Sequence, residues 1–526
     1  MPQAPISRPR RLALLVLGAA AAPILAFAPA GRAQEPPQAR LWLPALLSRA
    51  PLPTPARAGS PVATAGATAT LPPMTATPSA TPGAEPSPRP TSSVTPLPSA
   101  EPTVGTPACS VIPSFEDGLA PRRELHVAQR GDDAGGDGSI ARPFRGLERA
   151  ARSAEPGTAI RLHAGSYPGG SYLEGLRGTA AAPIWLGGMP GEPRPRIEGG
   201  GTALQLSRAA WLVVHDLELS GQSDNGINAD DGGAVADPQA AGPLVFRDLA
   251  IDRVGGSGNQ DCLKLSGIRG VVVRDSSFAR CGGSGSAIDM VGVHQALVAR
   301  NRFEDLSANA VQVKGGSADV EIRWNHMLRA GERAVNMGGS TGLTYFRPPL
   351  DPDAENAEAR RVTVLANRIE GGVTPWAFVG CVDCLAAHNT VVEPTRWLMR
   401  ILQETASQGA YRFAPTRSGR VLNNLFVFRR GQIRADVNVG AGTAPETFRF
   451  QNNLWYALDD APRSAPQLPV PETGGLIWRD PLLRADGSIP LDSPAVGAGS
   501  PGRWVPGDLA GACWADPPAV GAYEGR

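Results

Sequence analysis

Lys264, Asp289 and Lys314 stand 25 residues apart in three similar stretches, DCLKLSG, SAIDMVG and AVQVKGGS. Phe278, Phe303 and Met327 mark a second point of the same repeat, at spacings of 25 and 24. In Cys262-Leu-Lys-Leu265, Ala287-Ile-Asp-Met290 and Val311-Gln-Val-Lys314 apolar and polar residues alternate. Strand periodicity therefore predicts Lys264, Asp289 and Lys314 at one equivalent position on an outward face. A lysine set among other charges can act as a proton acceptor, and fixed positive charge can stabilise an anion formed beside a carboxylate. Lys314 is the expected base, Asp289 its positioner, and Lys264 or Arg400 the group that holds a substrate carboxylate. A cross-strand salt bridge of about 0.2–1 kcal/mol is the purely structural reading of the same residues.

Asn228 extends this column one coil earlier, Asn336 one coil later, and Arg400 in Leu398-Met-Arg-Ile401 two coils beyond that. Gln312 shares the Lys314 strand, and His294 follows the Asp289 strand at a corner. Glycines 282, 283, 285, 315, 316, 338 and 339 flank the strands and would keep the surface open to a long ligand. Between Met327 and Ile369 the repeat stretches to 42 residues, so a loop from about Thr341 to Arg360 must project. Long solenoid loops usually carry function. Tyr345, Phe346 and Arg347 on it offer aromatic surface and a carboxylate-binding fork. The same aromatic residues could equally cover the side of the coil.

A repeat of this length in strand-like sequence means a solenoid. Segments such as Leu244-Val-Phe-Arg-Asp-Leu-Ala-Ile251 and Val271-Val-Val-Arg-Asp-Ser-Ser-Phe278 alternate apolar and polar residues and end in turns. Stacked coils put each strand about 4.8 Å from its copies. Asn301, Asn325, Asn367, Asn389, Asn424 and Asn453 recur just before the last apolar residue of their repeats. They are expected to form an amide ladder whose members themselves adopt the left-handed conformation of the corner.

Phe144, Leu147, Ala150 and Ala151 recur at helical spacing within Pro143–Ala154, which predicts one helix capping the open N-terminal end of the coil. Asp132, Asp133 and Asp137 beside it fit turns better than calcium. Earlier still, Arg8, Arg10 and Arg11 precede an apolar run and the small residues Ala28-Pro-Ala-Gly-Arg-Ala33, the layout of a secretory signal peptide over 1–33. Residues 34–108 are rich in Pro, Thr, Ser and Ala and read as a disordered linker or stalk. The folded domain is expected over 109–526.

With 50 basic and 49 acidic residues the chain carries a formal net charge of +1, which gives no overall field for nucleic acid or a membrane surface. Six cysteines in an exported chain permit three disulfides, and Cys109 with Cys513 could tie the domain ends together. Cys381 and Cys384 could close a small loop or stay reduced. The spacing of a zinc-thiolate site is absent.

The opening Gly-Asp-Asp…Gly-Asp-Gly-Ser…Pro-Phe, the sequence Pro156-Gly-Thr-Ala-Ile-Arg-Leu162…Gly165-Ser-Tyr167 and the closing Leu491-Asp-Ser-Pro-Ala-Val-Gly-Ala-Gly499 and Val520-Gly-Ala-Tyr-Glu524 resemble secreted proteins of the pectate-lyase-like superfamily. That resemblance implies an all-β fold, a right-handed single-stranded parallel β-helix. It leaves the activity open, because the superfamily includes lyases, hydrolases, esterases, epimerases and binding proteins.

The Lys314 stretch is similar to β-helical lyases of the alginate and chondroitin class, where a lysine base is followed one coil later by an arginine. Here the next coil presents Asn336-Met-Gly-Gly339, and Asn309 stands where an acidic calcium ligand is expected. Asp289, Asn309 and Asp230 are the candidate ligands if calcium takes part. The function this implies is β-elimination on an acidic, uronate-containing extracellular polysaccharide, by a monomer that is secreted or attached to the cell surface and has no membrane span after signal cleavage. A non-catalytic glycan-binding or structural surface β-helix and a glycoside hydrolase using Asp230-Asp231 are the alternatives. Asp459-Asp460 reads as a solvated turn.

Overall fold

The computed structural model describes residues 108–256, 258–502 and 507–526. The expected signal peptide and the linker up to residue 107 lie outside them. Among the described residues the strands form three long sheets of 13, 10 and 12 strands, with one additional two-stranded pair. Neighbouring strands in these sheets pair in parallel, for example Leu244↔Val271 in the first sheet, Leu263↔Ile288 in the second and Ile251↔Phe278 in the third. From Thr158 to Val439 the successive coils place a strand in each of the three long sheets, which makes the fold a parallel β-helix.

The inward residues form one continuous column. Leu263, Leu265, Ile288, Met290, Val311 and Val313 from the second sheet pack with Val271, Val273, Phe278 and Phe303 from the other two, all buried. The Phe278 and Phe303 rings stack with centroids 5.2 Å apart. Interior burial of this kind contributes about 25 cal/mol per Å² of apolar surface, which is why the alternation is so regular.

A second apolar cluster lies on the opposite face of the first sheet. Trp185, Val213, Val245, Val272 and Leu297 point outward there and are covered by Ile112 and Phe115 from one end of the domain and by Leu509 and Trp514 from the other. Cys109 is bonded to Cys513 across 404 residues, as their positions suggested. Glu116 fixes the first of these segments by accepting from Trp185 Nε1 at 3.2 Å, Arg247 Nε at 2.9 Å and Arg274 Nη2 at 3.3 Å. The other cysteines pair as Cys262–Cys281 and Cys381–Cys384.

The asparagine ladder is present. Asn301 N donates to Asn325 Oδ1 at 2.9 Å, and the pattern continues through Asn367, Asn389 and Asn424 to Asn453. Ser276 N donates into one end, and Glu472 Oε1 receives Asn453 N and Nδ2 at the other. One detail differs from expectation. The left-handed residue is the one before the ladder position: Arg300, Trp324, Ala366, His388, Asn423 and Asn452 have φ between 49° and 56°, or 57° at Trp324. The asparagines keep ordinary backbone and contribute through their amides.

A short helix, Leu147–Arg152, lies inside the range the spacing predicts, with Leu147 and Ala150 buried against the core. The aspartates before it act in turns. Asp132 Oδ1 accepts from Ala134 N, Asp133 Oδ1 from Arg145 N and Gly146 N, and Asp137 Oδ1 from Ser139 N.

Candidate functional site

The outer face of the ten-stranded sheet carries a polar column. Its register runs Tyr172↔Gln205↔Asn228↔Lys264↔Asp289↔Gln312↔Asn336↔Ala377↔Arg400↔Asn438. Lys264 and Asp289 therefore align as expected, and Asn228, Asn336 and Arg400 fall on the same line. Lys314 does not. It pairs with Val291, and Gln312 takes the place opposite Asp289.

The cause is a shortened turn. Residues 282–285 separate the Ser277–Cys281 strand from the Ser286–Val291 strand, whereas only Ser307 and Ala308 separate Arg302–Leu306 from Asn309–Lys314. A slip of two residues keeps side-chain parity, so Lys314 still faces outward, one step along its strand.

At the floor of the site Lys264 Nζ donates to Asp261 Oδ2 at 2.9 Å and to Asp289 Oδ2 at 2.8 Å. Lys314 Nζ lies 3.3 Å from Asp289 Oδ1. Both carboxylates are 1% exposed. Burial opposes the charge of Lys264, but Asp289 and Asp261 outweigh it and hold the ammonium above the usual lysine range. Burial, and then the charge of Asp289, push Asp261 up to about 6. Asp261 is further fixed by accepting Ser286 N at 2.8 Å. Lys264 is thus a fixed cation, and its carboxylate partner Asp261, three residues earlier, is a site residue the repeat alone did not single out.

These groups open into a cleft of about 640 Å³ lined by Tyr172, Gln205, Asn228, Asp230, Lys264 and Lys314, with Tyr345 and Arg347 among the residues of its wall. Tyr172 and Tyr345 are 54% and 62% exposed. Asp230 is bonded by neutral donors: Gln205 Nε2 at 2.7 Å, Ser207 Oγ at 2.9 Å and Gly232 N at 2.9 Å. Glu174 is paired with Arg208.

The projecting loop folds back over earlier coils. Arg347 grips Asp231 with Nε to Oδ2 at 2.6 Å and Nη2 to Oδ1 at 3.1 Å. Its backbone N donates to Gly315 O at 3.0 Å. To get there its side chain crosses successive turns at Gly292 and Gly267. A Cβ at Gly292 would sit 2.4 Å from Arg347 Cβ, and one at Gly267 would sit 2.2 Å from Asp231 Oδ2. At the loop base, buried Glu358 accepts Gly315 N and Thr341 N at 2.9 Å each.

This arrangement changes several expectations. Arg347 is held by Asp231, so it builds the wall of the cleft and is not a free carboxylate fork. Phe346 is 1% exposed and packs on Phe413 with ring centroids 5.5 Å apart, which makes it the loop's own core. His294 Nε2 lies 3.0 Å from Arg347 O, so it supports the loop from beneath. Burial lowers its pKa.

Gln312, Asn336 and Arg400 lie beyond the cleft. Gly339 sits over Gln312, where an added Cβ would be 2.7 Å from Gln312 Nε2, and Ser340 to Gly342 form the cleft wall. The cleft therefore runs from Lys314 toward Tyr172 and not toward Arg400. Asn336 accepts from Arg333 Nη1 at 3.3 Å. Arg400 donates to Asn438 Oδ1 at 2.9 Å and lies over the Trp397 ring, three strands or about 14 Å from the Lys314 strand.

Asp289, Asn309 and Asp230 do not fit a shared calcium cage. Asp289 faces two ammonium groups, Asn309 Nδ2 donates to Ser286 Oγ at 3.1 Å, and the register puts Asp230 two strands from Asp289. Among the described residues no three His, Cys, Asp or Glu side chains are grouped so as to hold a metal. No described helix is long and apolar enough to cross a membrane.

No family model matches the sequence, and no curated protein matches it. Among solved structures the chain is similar to pectate lyase Pel9A at 13% identity, with 78% of this chain and 98% of that one covered and a TM-score of 0.46. It is similar to XylC in complex with xylose at 11%, covering 76% and 99%, TM-score 0.47. It is also similar to an alginate lyase from Paenibacillus sp. at 14%, covering 61% and 99%, TM-score 0.38. At these values none assigns an activity or a substrate. The parallel β-helix rests on the strand registers, and it is the architecture that the resemblance noted in the sequence implies.

Proposed function

We propose that this is an exported carbohydrate-active β-helix that binds an acidic, uronate-containing polysaccharide in the cleft between Tyr172 and Lys314 and cleaves it by β-elimination. The observation that carries this reading is the Lys264–Asp289–Lys314 group at the cleft floor. Lys314, acting as the neutral amine after giving its ammonium proton to solvent, takes the proton from the carbon next to the uronate carboxylate. The released electron pair forms a carbon–carbon double bond as the glycosidic C–O bond breaks, and the leaving oxygen takes a proton from water. Lys264, kept charged by two buried carboxylates, stabilises the enolate-like anion. Asp289 holds the Lys264 ammonium and the Lys314 amino group in place. Tyr172 and Tyr345 offer exposed faces for sugar rings. No metal enters this reading.

Export rests on the Arg-rich, apolar N-terminal segment and on three disulfides, which persist in oxidising compartments. The Pro/Thr/Ser/Ala-rich segment would then be an extended stalk. For the scaffold, a right-handed coil follows from the strong preference of parallel crossovers, with the Leu147–Arg152 helix shielding the first coil.

A second reading is favoured by Asp230, the cleft carboxylate bonded by neutral donors, which could serve glycoside hydrolysis. Incubation with alginate, pectate and glycosaminoglycans separates the two. Elimination gives new ultraviolet-absorbing unsaturated ends, whereas hydrolysis gives reducing ends without that absorbance. Absence of both with every substrate would leave binding alone and would overturn the catalytic reading.

A further inference from the structure

The cleft has one open end and one closed end, and Lys314 stands at the closed one. Toward Arg400 the outward face of the ten-stranded sheet is roofed directly after Lys314. An added Cβ at Gly339 would lie 3.5 Å from Lys314 Cδ and 3.7 Å from Asn336 Nδ2. Asn336 and Ala377, the two outward positions that follow Gln312 in the register, are 2% and 0% exposed. No floor is left there for a sugar ring.

The roof is held at several points. Gly339 N donates to Val379 O at 3.1 Å, and Thr341 N and Oγ1 donate to the two carboxylate oxygens of Glu358 at 2.9 and 2.7 Å. Buried Glu358 also accepts Gly315 N, which ties the roof to the turn after Lys314. On the flank, Arg347 crosses the turns at Gly292 and Gly267 to reach Asp231 and closes that side. The opposite direction is free. From Asp289 the floor runs through Lys264, Asn228 and Gln205 to Tyr172, a distance of about 19 Å at the spacing of neighbouring strands. Tyr172 is exposed, and its strand, Ser171–Glu174, is the edge of the ten-stranded sheet, so a bound chain has a way out over it.

We propose, resting on the elimination reading above, that the cleft takes the end of an acidic polysaccharide chain and not an internal stretch. A polymer threaded through the site needs floor on both sides of the bond that breaks. Here only a short terminal piece fits between that bond and the roof, while the rest of the chain lies toward Tyr172 and continues into solvent. The bonds made and broken are those of the elimination already described, and the roof decides which glycosidic bond reaches Lys314. Each turnover releases one short fragment, and the shortened chain must advance to the roof before the next.

The test is the size of the first products. The native chain is incubated with alginate, pectate and glycosaminoglycans, and early samples from each polysaccharide that is cleaved are separated by size-exclusion chromatography with ultraviolet and refractive-index detection. Short fragments of one narrow size are expected from the first sample onward, with the polymer peak close to its starting position. Tyr172→Ala, at the open end, should raise KM about three- to tenfold for long oligosaccharides, with the effect shrinking as the substrate is shortened. Unsaturated products of all lengths from the outset, with an early fall in polymer size, would overturn attack at the chain end and leave the elimination reading standing. So would an unchanged KM of Tyr172→Ala at every length. No unsaturated product from any substrate would overturn the elimination reading itself, and this proposal with it.

Discussion

Lys314 and Asp289 are not opposite each other in the sheet, yet the Lys314 ammonium lies 3.3 Å from Asp289 Oδ1 while Lys264, which is opposite, donates to Oδ2 at 2.8 Å. One buried carboxylate thus carries two ammonium groups from neighbouring strands on either side. Only one of them, Lys264, is also held by a second carboxylate, Asp261. That asymmetry is the basis for giving the lysines different roles.

Lys264→Met leaves Asp261 and Asp289 buried without their shared cation. Breaking a buried pair from one side costs about 3–5 kcal/mol, so chemical denaturation should show a loss of that order. Adding Asp261→Asn removes one stranded charge and should recover part of it. Equal stability of Lys264→Met and the native chain would show that the two carboxylates are solvated.

Asp261 has a pH signature. Its folded pKa, near 6, lies above that of an unfolded aspartate. Between pH 4 and 6 the folded state therefore binds more protons than the unfolded state. Its contribution is fully present below about pH 4 and is lost as pH rises through 6. Carboxyl NMR should show one aspartate titrating near pH 6, and Asp261→Asn should abolish that titration and flatten the stability profile over this window.

Arg347→Ala should free the loop from the earlier coils and strand Asp231. Backbone amides around Thr341 to Phe346 should exchange about tenfold faster or more, and the double change Arg347→Ala with Asp231→Asn should restore global stability but not loop protection. Gly292→Val should mimic the loop effect, because its side chain would occupy the path of Arg347.

Within the ladder, Asn367 receives Asn325 N and Nδ2 and donates to Ile322 O, Leu365 O and Asn389 Oδ1. Asn367→Leu leaves several of these buried groups unpaired at about 1–3 kcal/mol each. A loss of at least about 2 kcal/mol by denaturant unfolding is expected, larger than for Asn228→Leu on the outer face.

The coil, its inward column and the amide ladder were legible because each repeats a local pattern that burial enforces in every turn. The outward direction of Lys314 was legible for the same reason, since a two-residue slip preserves parity. Its register was not: the Ser307-Ala308 turn is shorter than the Gly282–Gly285 turn, and a fixed 25-residue count passes over that difference. The direction of the cleft was hidden as well, because it depends on Arg347 reaching Asp231 across 116 residues. Glycines at 267 and 292 were the available signal, for they align with the turns that Arg347 crosses. Phe346 beside Tyr345 shows the remaining difficulty: adjacent aromatic residues on one loop point to different environments, and only packing against Phe413 decides which is buried.

The central claim is that Lys314 removes a proton from a uronate bound in the cleft. The direct measurement is the rate of appearance of unsaturated uronate ends for Lys314→Ala, beside Arg400→Ala and the native chain, on whichever of the three polysaccharide types the native chain cleaves. Loss of a positioned general base should lower kcat by about 10²–10⁴-fold in Lys314→Ala, with Arg400→Ala close to native because it lies beyond the cleft. A Lys314→Ala protein that is folded and as active as the native chain, or no unsaturated product from the native chain on any of them, would contradict it.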